Sequence, residues 1–452
     1  MSQRRIAAIV LAAGHGTRMK SEKPKVLHQL AGQPMVSHIL GTLGDAGVDR
    51  ICVIVGPGMD DLTAAVAPHQ TAVQVDRLGT AHAALAAKDI IGDDHDDLLI
   101  LNGDNPLISI DRITALLDAR QADADPAVVV LGFRAQNPGP YGRMVTNDHG
   151  ALERIVEAKD ASDDELTIDL CSSGMMALDG RTAFAMLSEI GNDNAAGEYY
   201  LPDVVGVAQT HKRTCGVVIG DEGNLLGINS RAELAAAEAR LQKKYRALAM
   251  DGGATLTDPQ TVYFSVDTKI GRDVIIEPNV FFGPGVTIAD GAHIKAFCHI
   301  EGADIGSNAV IGPFARLRPG SQLSEGVKIG NFVEIKNADL AEGAKVNHLS
   351  YVGDADVGAH ANIGAGTITC NYDGVFKWRT TIGAGAFIGS NSALVAPVTI
   401  GDGATVAAGS TIGKDVTAHA LGVTRAPQKE LPGWSKRTRE KKLALKAKGE
   451  KG

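Results

Sequence analysis

The chain from about Ile270 to Val416 repeats an aliphatic residue at every sixth position, in several runs, and a glycine often follows it. A period of six fits neither a helix, which repeats every 3.6 residues, nor a simple alternating strand. It predicts a coil with three short flat faces per turn, whose aliphatic side chains all point inward and stack from coil to coil. The repeated positions are Ile288, Ile294, Ile300, Ile305, Ile311, Leu317, Ile329, Ile335, Val357, Ile363, Ile382, Ile388, Leu394, Ile400, Val406 and Ile412.

This repeat resembles the hexapeptide-repeat left-handed parallel β-helix. The alternative, an ordinary β-sandwich, would not keep one register over the whole run from Ile382 to Ile412. The repeat is interrupted between Gly364 and Ile382 by a long insertion. Insertions in stacked coils map to surface loops, often over the binding face, so we expect a functional loop there.

The N-terminal part of the chain has a different pattern, in which short apolar runs alternate with segments of helical spacing. This alternation predicts an α/β fold of Rossmann-like type with a mostly parallel sheet. Ligands of such sheets bind beyond the carboxyl ends of the strands. The predicted strands are Ile6–Leu11, Ile51–Val55 and Leu98–Leu101, and the predicted helices are Leu62–Val66, Ala81–Ile90 and Ile113–Ala122.

A long helix is expected between the two parts. Residues 232–250 are rich in Ala, Leu, Glu, Lys and Arg, contain neither Gly nor Pro, and place apolar residues at helical spacing. The sequence therefore predicts an N-terminal domain over residues 1–231, a helical linker over 232–252, and a C-terminal domain over 253–452 with a basic tail. The alternative is that the first turns of this helix belong to the N-terminal domain.

Composition narrows the possible partners and compartments. A chain of 452 residues is expected to form two or three domains, and its net charge of −9 argues against a nucleic-acid partner. The five cysteines share no metal-ligand spacing and are odd in number, which favours free thiols in a reducing, cytoplasmic setting. No apolar segment is long enough to span a bilayer, so no membrane association is expected.

The first predicted strand leads into Leu11-Ala12-Ala13-Gly14-His15-Gly16-Thr17-Arg18-Met19, the layout of a phosphate-binding turn. The turn lacks the Gly-Lys-Ser/Thr ending of a P-loop and the third glycine of a dinucleotide fingerprint. Together with Pro24-Lys25-Val26-Leu27-His28, however, it resembles the signature of sugar-1-phosphate nucleotidyltransferases.

A metal-binding carboxylate is expected at Asp104, which follows a predicted strand in Asn102-Gly103-Asp104. Mg²⁺ is commonly held by one or two protein oxygens together with substrate phosphates. Asp is also common in turns and helix caps, which is the alternative for this residue. The nucleotidyltransferase resemblance implies that Asp104 and Asn229 hold Mg²⁺ and that Arg18 and Lys25 hold the triphosphate. It implies a site for UTP and UDP-N-acetylglucosamine at Leu11, Gly14, Lys25, Gln74, Gly79, Thr80, Gly142, Glu157, Ser172 and Asn229.

Three positions depart from that family's usual pattern. Ser172-Ser173-Gly174 stands where Asn-Thr-Gly is usual, Asn102 stands in place of a tyrosine, and Arg77 replaces a glutamine before Leu78-Gly79-Thr80.

Polar and basic residues also interrupt the six-residue repeat, and His348 among them is the natural general base near neutral pH. A single histidine in a repetitive fold is more often structural. The whole set, however, resembles the acetyltransferase half of the bacterial bifunctional UDP-N-acetylglucosamine pyrophosphorylase/glucosamine-1-phosphate N-acetyltransferase family, and the resemblance extends from Leu11 to Arg425.

The second resemblance implies that His348 takes a proton from the amine of glucosamine-1-phosphate. It implies that the sugar phosphate is held by Arg318, Lys336, Tyr351, Asn362 and Lys377. It implies that the acetyl-CoA site is lined by Ala365, Asn371, Tyr372, Ser390, Ala408 and Arg425.

The expected function is the synthesis of UDP-N-acetylglucosamine, a precursor of peptidoglycan and lipopolysaccharide, from glucosamine-1-phosphate, acetyl-CoA and UTP with Mg²⁺. A homotrimer with an acetyl site shared between chains is also expected, because three-faced coils stack readily about a threefold axis. One alternative is a nucleotidyltransferase whose β-helix serves only oligomerisation or regulation. Another is a purely structural solenoid, which would leave the Gly14–Lys25 turn unexplained.

Overall fold

The computed structural model describes residues Arg4–Lys448 and divides into two compact units. The first unit comprises the described chain through Leu248 together with Tyr263–Val266. The second comprises Ala249–Val262 and the described chain from Asp267 onward.

The first unit is built on a nine-stranded sheet. Its centre is strand Ile6–Leu11, which pairs in parallel with Arg50–Val55 on one side and with Asp97–Asn102 on the other. Strand Leu170–Asp179 is the exception, because it runs antiparallel to both of its neighbours in the main sheet. The order of the main strands is Cys215–Gly220, Val128–Arg134, Leu170–Asp179, Asp97–Asn102, Ile6–Leu11, Arg50–Val55 and Gln70–Val73, with Arg143–Thr146 and Leu152–Val156 as a further hairpin. A separate two-stranded sheet pairs Gln29–Leu30 with Gln33–Pro34.

Helices cover both faces of the sheet and produce two apolar layers. The prediction of one helix over Ala81–Ile90 was wrong in one respect, because two short helices occupy that range. The α-helices of the first unit are Met35–Asp45, Asp60–Ala65, Thr80–Leu85, Lys88–Ile91, Ile110–Arg120, Asp163–Leu166, Ala183–Ser188, Val204–Thr210, Glu222–Leu225 and most of Arg231–Asp251. The 3₁₀ turns are Thr17–Met19, Lys25–Leu27 and Leu201–Asp203.

Helix Arg231–Asp251 is where the predicted linker lies, and it packs within the first unit through Leu248. Its buried residues Ala237 and Leu241 join Leu30, Ala31 and Met35 in a small apolar cluster. The first turns of the helix therefore bury apolar surface within the first unit.

The second unit is a parallel β-helix, because every strand pair in it is parallel and its strands form continuous ladders. Ile276 pairs with Ile294, eighteen residues later, and Ile294 pairs with Ile311. The length of one coil therefore corresponds to about three faces of six residues each. All sixteen aliphatic positions of the predicted repeat are buried, none more than 3 % exposed, which confirms the inward column.

The strands of the β-helix form two sheets, and the second sheet covers two faces of the coil, which join where Glu334–Leu340 pairs with both Arg316–Leu317 and Ser321–Leu323. One contains Thr255–Leu256, Ile275–Ile276, His293–Ile294, Val310–Ile311, Lys328–Asn331, Lys345–His348, Asn362–Ile363, Phe387–Ile388, Thr405–Val406 and Leu421–Gly422. The other contains Lys269–Ile270, Phe281–Phe282, Val286–Ile288, His299–Ile300, Ala303–Ile305, Arg316–Leu317, Ser321–Leu323, Glu334–Leu340, Tyr351–Val357, Ile368–Cys370, Thr380–Ile382, Ala393–Val395, Val398–Ile400 and Thr411–Ile412.

The predicted insertion forms an exposed loop from Tyr372 to Arg379, closed by a bridge between Tyr372 and Lys377. The basic tail forms helix Trp434–Ala447, which contains no buried residue. Among the described residues, no helix combines the length and the apolar character that crossing a membrane would need.

Candidate functional site

A cavity of about 470 Å³ lies at the carboxyl ends of the central strands of the first unit. Parallel α/β sheets bind their ligands at this edge. Eight predicted nucleotide-site and metal-site residues line it: Leu11, Gly14, Lys25, Gln74, Gly79, Thr80, Asp104 and Asn229.

Lys25 joins the two predicted metal ligands. Its ammonium donates a hydrogen bond to Asp104 Oδ2 and another, of 2.8 Å, to Asn229 Oδ1. The three side chains come from a 3₁₀ turn, the end of a strand and the segment before helix Arg231–Asp251. The contact places a carboxylate, an amide oxygen and a cation at one point of the cavity.

The same two oxygens suit a divalent cation. Asp104 and Asn229 present one carboxylate oxygen and one amide oxygen to a positive charge, and hard cations prefer oxygen ligands. No cluster of three or more His, Cys, Asp or Glu side chains is arranged for a metal within residues Arg4–Lys448. The protein would therefore supply only part of a metal's coordination, and substrate oxygens would supply the rest.

The loop from Gln74 to Thr80 has a rigid shape. Gln74 is buried and donates a 3.0 Å hydrogen bond from Nε2 to the carbonyl oxygen of Gly79. Gly79 has a φ of +122°, and a Cβ there would lie 2.4 Å from the carbonyl oxygen of Tyr199, so only glycine fits. The amide of Tyr199 in turn donates to the carbonyl of Leu78.

The predicted sugar-side residues also come together. The amide of Ser172 donates to the carbonyl of Gly142 over 2.9 Å, and a Cβ on Gly142 would lie 3.3 Å from a carboxylate oxygen of Glu157. Burial, reinforced by the nearby carboxylates Asp203 and Asp160, raises the pKa of Glu157. Glu157 is therefore a carboxylate that gains from a hydrogen-bond donor such as a sugar hydroxyl.

Arg18 and Arg77 are placed differently with respect to the cavity lining. Arg18 is exposed in the turn Thr17–Met19 and is not among the residues that line the cavity, so its predicted role in holding the triphosphate stays a prediction. Arg77, noted in the sequence only as a departure, does line the cavity and donates from Nε to the carbonyl oxygen of Ala13 over 3.0 Å.

In the second unit, His348 has a defined partner. Its Nδ1 atom lies 2.8 Å from Asn331 Oδ1, and the two residues face each other on neighbouring coils. An amide oxygen only accepts, so Nδ1 carries a proton, and in the neutral imidazole the lone pair is then on Nε2. This is the tautomer that a general base requires at Nε2. The imidazole is exposed in a single chain.

The predicted sugar-phosphate residues begin at Arg318, whose guanidinium donates over 2.8 Å to Glu334. That hydrogen bond raises the pKa of Arg318 further. Lys336 and Tyr351 follow on the next strands of the same ladder, where Glu334 pairs with Tyr351 and Lys336 pairs with Gly353. Lys377 lies on the exposed insertion, and Asn362 pairs with Lys345 and Phe387, which are outside this set.

A buried carboxylate orients Asn371, one of the predicted acetyl-CoA residues. Asp354 accepts hydrogen bonds from the amide groups of Asn337, at 2.6 Å, and of Asn371. Burial acts to raise the pKa of Asp354, but these hydrogen bonds and the nearby charges of Lys336 and Lys377 outweigh it, so the pKa lies below its usual range. The ionised carboxylate therefore fixes the Asn371 amide with its nitrogen facing inward.

The remaining predicted acetyl-CoA residues lie later on the coils. Arg425 donates from its guanidinium to the carbonyl oxygen of Ala408 over 2.7 Å. Ser390 and Ala365 accept backbone hydrogen bonds from Gly409 and Asn391. Tyr372 is exposed on the insertion and donates from its hydroxyl to the carbonyl of Gly374.

Sequence reasoning did not single out Asn331 or Asp354. Neither residue stands in a motif whose chemistry is evident from spacing alone, since each acts on a residue one coil away. The coil length was the available signal: Asn331 and His348 are separated by about one coil, as are Asp354 and Asn371.

Comparison with known families assigns both halves of the chain. Residues 8–166 match the MobA-like NTP transferase domain. Residues 267–302 and 379–414 match the bacterial transferase hexapeptide family of six repeats. These matches confirm the expected fold class, a mostly parallel α/β nucleotidyltransferase domain and a left-handed parallel β-helix.

Curated relatives match over nearly the full length. The chain is 56 % identical to the bifunctional protein GlmU of Paramagnetospirillum magneticum over 99 % of this chain and 100 % of that protein. It is 57 % identical to the bifunctional protein GlmU of Rhodospirillum rubrum, over 96 % of this chain and 97 % of the relative. It is 54 % identical to the bifunctional protein GlmU of Sphingopyxis alaskensis, over 97 % of this chain and 98 % of that relative.

Proposed function

The chain belongs to the family of bifunctional GlmU proteins, and from that membership we propose how its two halves make UDP-N-acetylglucosamine. The protein is a bifunctional transferase. Its C-terminal domain transfers an acetyl group from acetyl-CoA to glucosamine-1-phosphate. Its N-terminal domain then transfers a uridyl group from UTP to the N-acetylglucosamine-1-phosphate and releases pyrophosphate.

In acetyl transfer, His348 Nε2 takes a proton from the substrate's ammonium group, because an ammonium has no lone pair with which to attack. The free amine attacks the thioester carbonyl, so that a C–N bond forms and the C–S bond breaks. The CoA thiolate leaves and takes up the proton that the attacking nitrogen loses as the amide forms, and His348 passes its own proton to solvent. Asn331 supports this role by holding the proton on Nδ1, and Asn371, oriented by Asp354, contacts the CoA side.

In uridyl transfer, a phosphate oxygen of N-acetylglucosamine-1-phosphate attacks the α-phosphorus of UTP, and the bond to the β-phosphate oxygen breaks. Positioning and neutralisation of negative charge supply most of the catalysis in phosphoryl transfer. Lys25 supplies a cation in the cavity, and Arg18 supplies another once its side chain turns inward. Gln74, Gly79 and Thr80 hold the base, and Gly142, Glu157 and Ser172 hold the sugar.

We propose Mg²⁺ as the metal, held by Asp104 and Asn229. When bound, it would neutralise phosphate charge and orient the two reacting phosphates. Lys25 would then exchange its contacts with these oxygens for contacts with phosphate, since both a lysine and a metal require the same oxygens.

One observation carries the proposal for the N-terminal domain: Lys25, Asp104 and Asn229, distant in sequence, meet in the cavity. For the C-terminal domain, the His348–Asn331 contact favours an acetyl-transfer site over a purely oligomerising β-helix. A module that served only association would need no histidine with a defined tautomer on its surface.

We propose a homotrimer in which each acetyl site takes residues from two chains. Hexapeptide repeats are associated with oligomerisation, and two features of this chain support a shared site. His348 is exposed to water in a single chain, whereas Phe297, Phe314 and Phe332 form a stacked, half-exposed ladder with ring centroids 4.8 and 5.1 Å apart. Association would cover such an apolar surface.

The cytoplasm remains the proposed compartment. All five cysteines are unpaired thiols, which a reducing compartment would maintain.

The direct test is to incubate the protein with glucosamine-1-phosphate, acetyl-CoA, UTP and Mg²⁺, and then to omit each component in turn. Omission of acetyl-CoA should stop UDP-N-acetylglucosamine formation, and supplied N-acetylglucosamine-1-phosphate should restore it. Omission of UTP should leave free CoA release intact. A protein that releases CoA but never consumes UTP, or the reverse, would contradict the bifunctional assignment.

A further inference from the structure

Arg77 lines the cavity of the first unit beside the glycine-rich turn. It belongs to the loop after strand Gln70–Val73, and its Nε donates over 3.0 Å to the carbonyl oxygen of Ala13 in the glycine-rich turn. Its Nη2 lies against Gly56, where a Cβ would approach it to 2.6 Å. The guanidinium therefore reaches past the carboxyl ends of two neighbouring parallel strands, Ile6–Leu11 and Arg50–Val55.

Hydrogen bonds hold the backbone on either side of Arg77, so the fold sets the position of its guanidinium. The backbone amide of Gln74 donates a hydrogen bond to the carbonyl of Val55, which extends the sheet. The backbone amide of Tyr199 donates a hydrogen bond to the carbonyl of Leu78. Glycine at position 56 leaves the space that the guanidinium fills. The loop and the glycine together direct the cation toward the turn that contains Gly14.

Arg77 differs from the other cation that lines the cavity in the partners of its charge. Two cations line it, and Lys25 is engaged by Asp104 and Asn229. Arg77 bonds one carbonyl through Nε, and within the described residues its Nη1 and Nη2 have no hydrogen-bond partner and its charge has no carboxylate partner. A guanidinium carries five N–H donors in a planar fork that matches phosphate oxygens.

We infer that Arg77 is a phosphate-binding residue for the triphosphate of UTP, and that it engages the β- and γ-phosphates that leave as pyrophosphate. This inference rests on the proposed uridyl transfer. Ala13 holds the guanidinium by its Nε edge, so its two Nη groups stay available as a bidentate donor pair. A glutamine at this position, the residue usual in related nucleotidyltransferases, could donate only from one amide group and would carry no charge.

The experiment compares ligands that differ only in phosphate number. Binding of UTP, UMP and inorganic pyrophosphate is measured by calorimetry at low salt without sugar phosphate, so that no turnover occurs. The variants are Arg77→Gln and Arg77→Lys, and Lys88→Gln is the control, because it removes one positive charge from an exposed lysine outside the cavity lining. Acetyl transfer by the same preparations confirms that the protein is intact.

We expect Arg77→Gln to weaken the binding of UTP and pyrophosphate about tenfold and to change UMP binding less than twofold, as a lost charge-assisted pair would. Arg77→Lys should recover part of the loss, and Lys88→Gln should bind all three ligands normally. Equal weakening of UMP and UTP would mean that Arg77 only braces the loop against Ala13, and unchanged UTP binding would mean that it is merely solvated. Either result overturns the inference. If the unmodified protein binds no UTP, it is the proposed uridyl transfer that fails.

Discussion

The Nδ1 atom of His348 lies 2.8 Å from the Oδ1 atom of Asn331, one coil below it in the β-helix. Because the amide oxygen can only accept, the contact leaves Nε2 of the imidazole as the basic nitrogen. The backbone pairing of the two strands sets this relationship, so it depends on the regular coil and not on a local loop.

Removal of each partner should affect acetyl transfer to a different degree. His348→Ala should lower the rate by roughly 10²–10⁴-fold, the usual contribution of a general base. Asn331→Ala should lower it only about tenfold, because one hydrogen bond is lost and the base remains. Uridyl transfer by both variants is the internal control. A variant lacking Asn331 that is as inactive as His348→Ala would show that Asn331 does more than orient the ring.

Asp104→Asn should abolish uridyl transfer and leave acetyl transfer intact. The substitution removes the only carboxylate among the described residues that contacts Lys25, and with it the proposed anionic ligand of Mg²⁺. Asp118→Asn, at an exposed position on helix Ile110–Arg120, is a matched control that should retain both activities. UTP consumption is measured over a range of Mg²⁺ concentrations, and normal consumption by Asp104→Asn would reject the assignment.

Complementation between two inactive variants tests the shared acetyl site. If each site takes His348 from one chain and Arg425 from a neighbour, co-expression of His348→Ala with Arg425→Ala should restore roughly a quarter of the sites under random mixing into trimers. Acetyl transfer by the co-purified mixture is compared with that of each variant alone. Mixed trimers that regain no activity would place both residues of a site in one chain.

The N-terminal domain should need more than residues 1–231. Within the first unit, Ala237 and Leu241 of helix Arg231–Asp251 bury apolar surface against Leu30 and Met35, and Gln242 exchanges two hydrogen bonds with Phe264. We expect a fragment ending after Val266 to unfold at a higher temperature than fragment 1–231. Both fragments are also assayed for uridyl transfer. Equal melting temperatures would show that the helix adds nothing to this domain.

Buried histidines should make the N-terminal domain less stable in mild acid. Burial lowers the pKa of His95, and neither ring nitrogen has a hydrogen-bond partner among residues Arg4–Lys448. Below the ordinary histidine pKa of about 6.5, the unfolded chain binds a proton at this imidazole while the folded chain keeps it neutral. The free energy of unfolding is therefore at its full value above that pH and falls as the pH drops. The resulting loss in the free energy of unfolding approaches about 1.4 kcal/mol per pH unit.

The measurement is the temperature at which uridyl transfer is lost after heating at pH 7.5 or pH 5.5, with the residual activity assayed at one common pH. His95→Leu should narrow the difference between the two temperatures. The pKa values of His28 and His38 are also lowered by burial, but these residues are present in both proteins and contribute equally. An unchanged difference would show that His95 does not resist protonation in the folded state.

The sequence by itself determined the architecture and the chemistry at motif level. A six-residue period has only one regular solution that buries every aliphatic, and those positions are buried without exception. The turn from Leu11 to Met19 and the segment around Lys25 likewise identified a nucleotide site at a strand end, because backbone geometry and residue type are both local properties.

Only the tertiary structure decided which side chains meet. Lys25 contacts Asn229 across 204 positions of sequence, and Arg77 reaches Ala13 across 64, distances over which no spacing rule predicts a hydrogen bond. The sequence assigned Arg18 to the triphosphate, which stays a prediction, but only the fold shows that Arg77 lines the cavity. The reason is physical: a motif fixes the conformation of its own backbone, but the direction of a long side chain depends on the space and the acceptors that other strands provide.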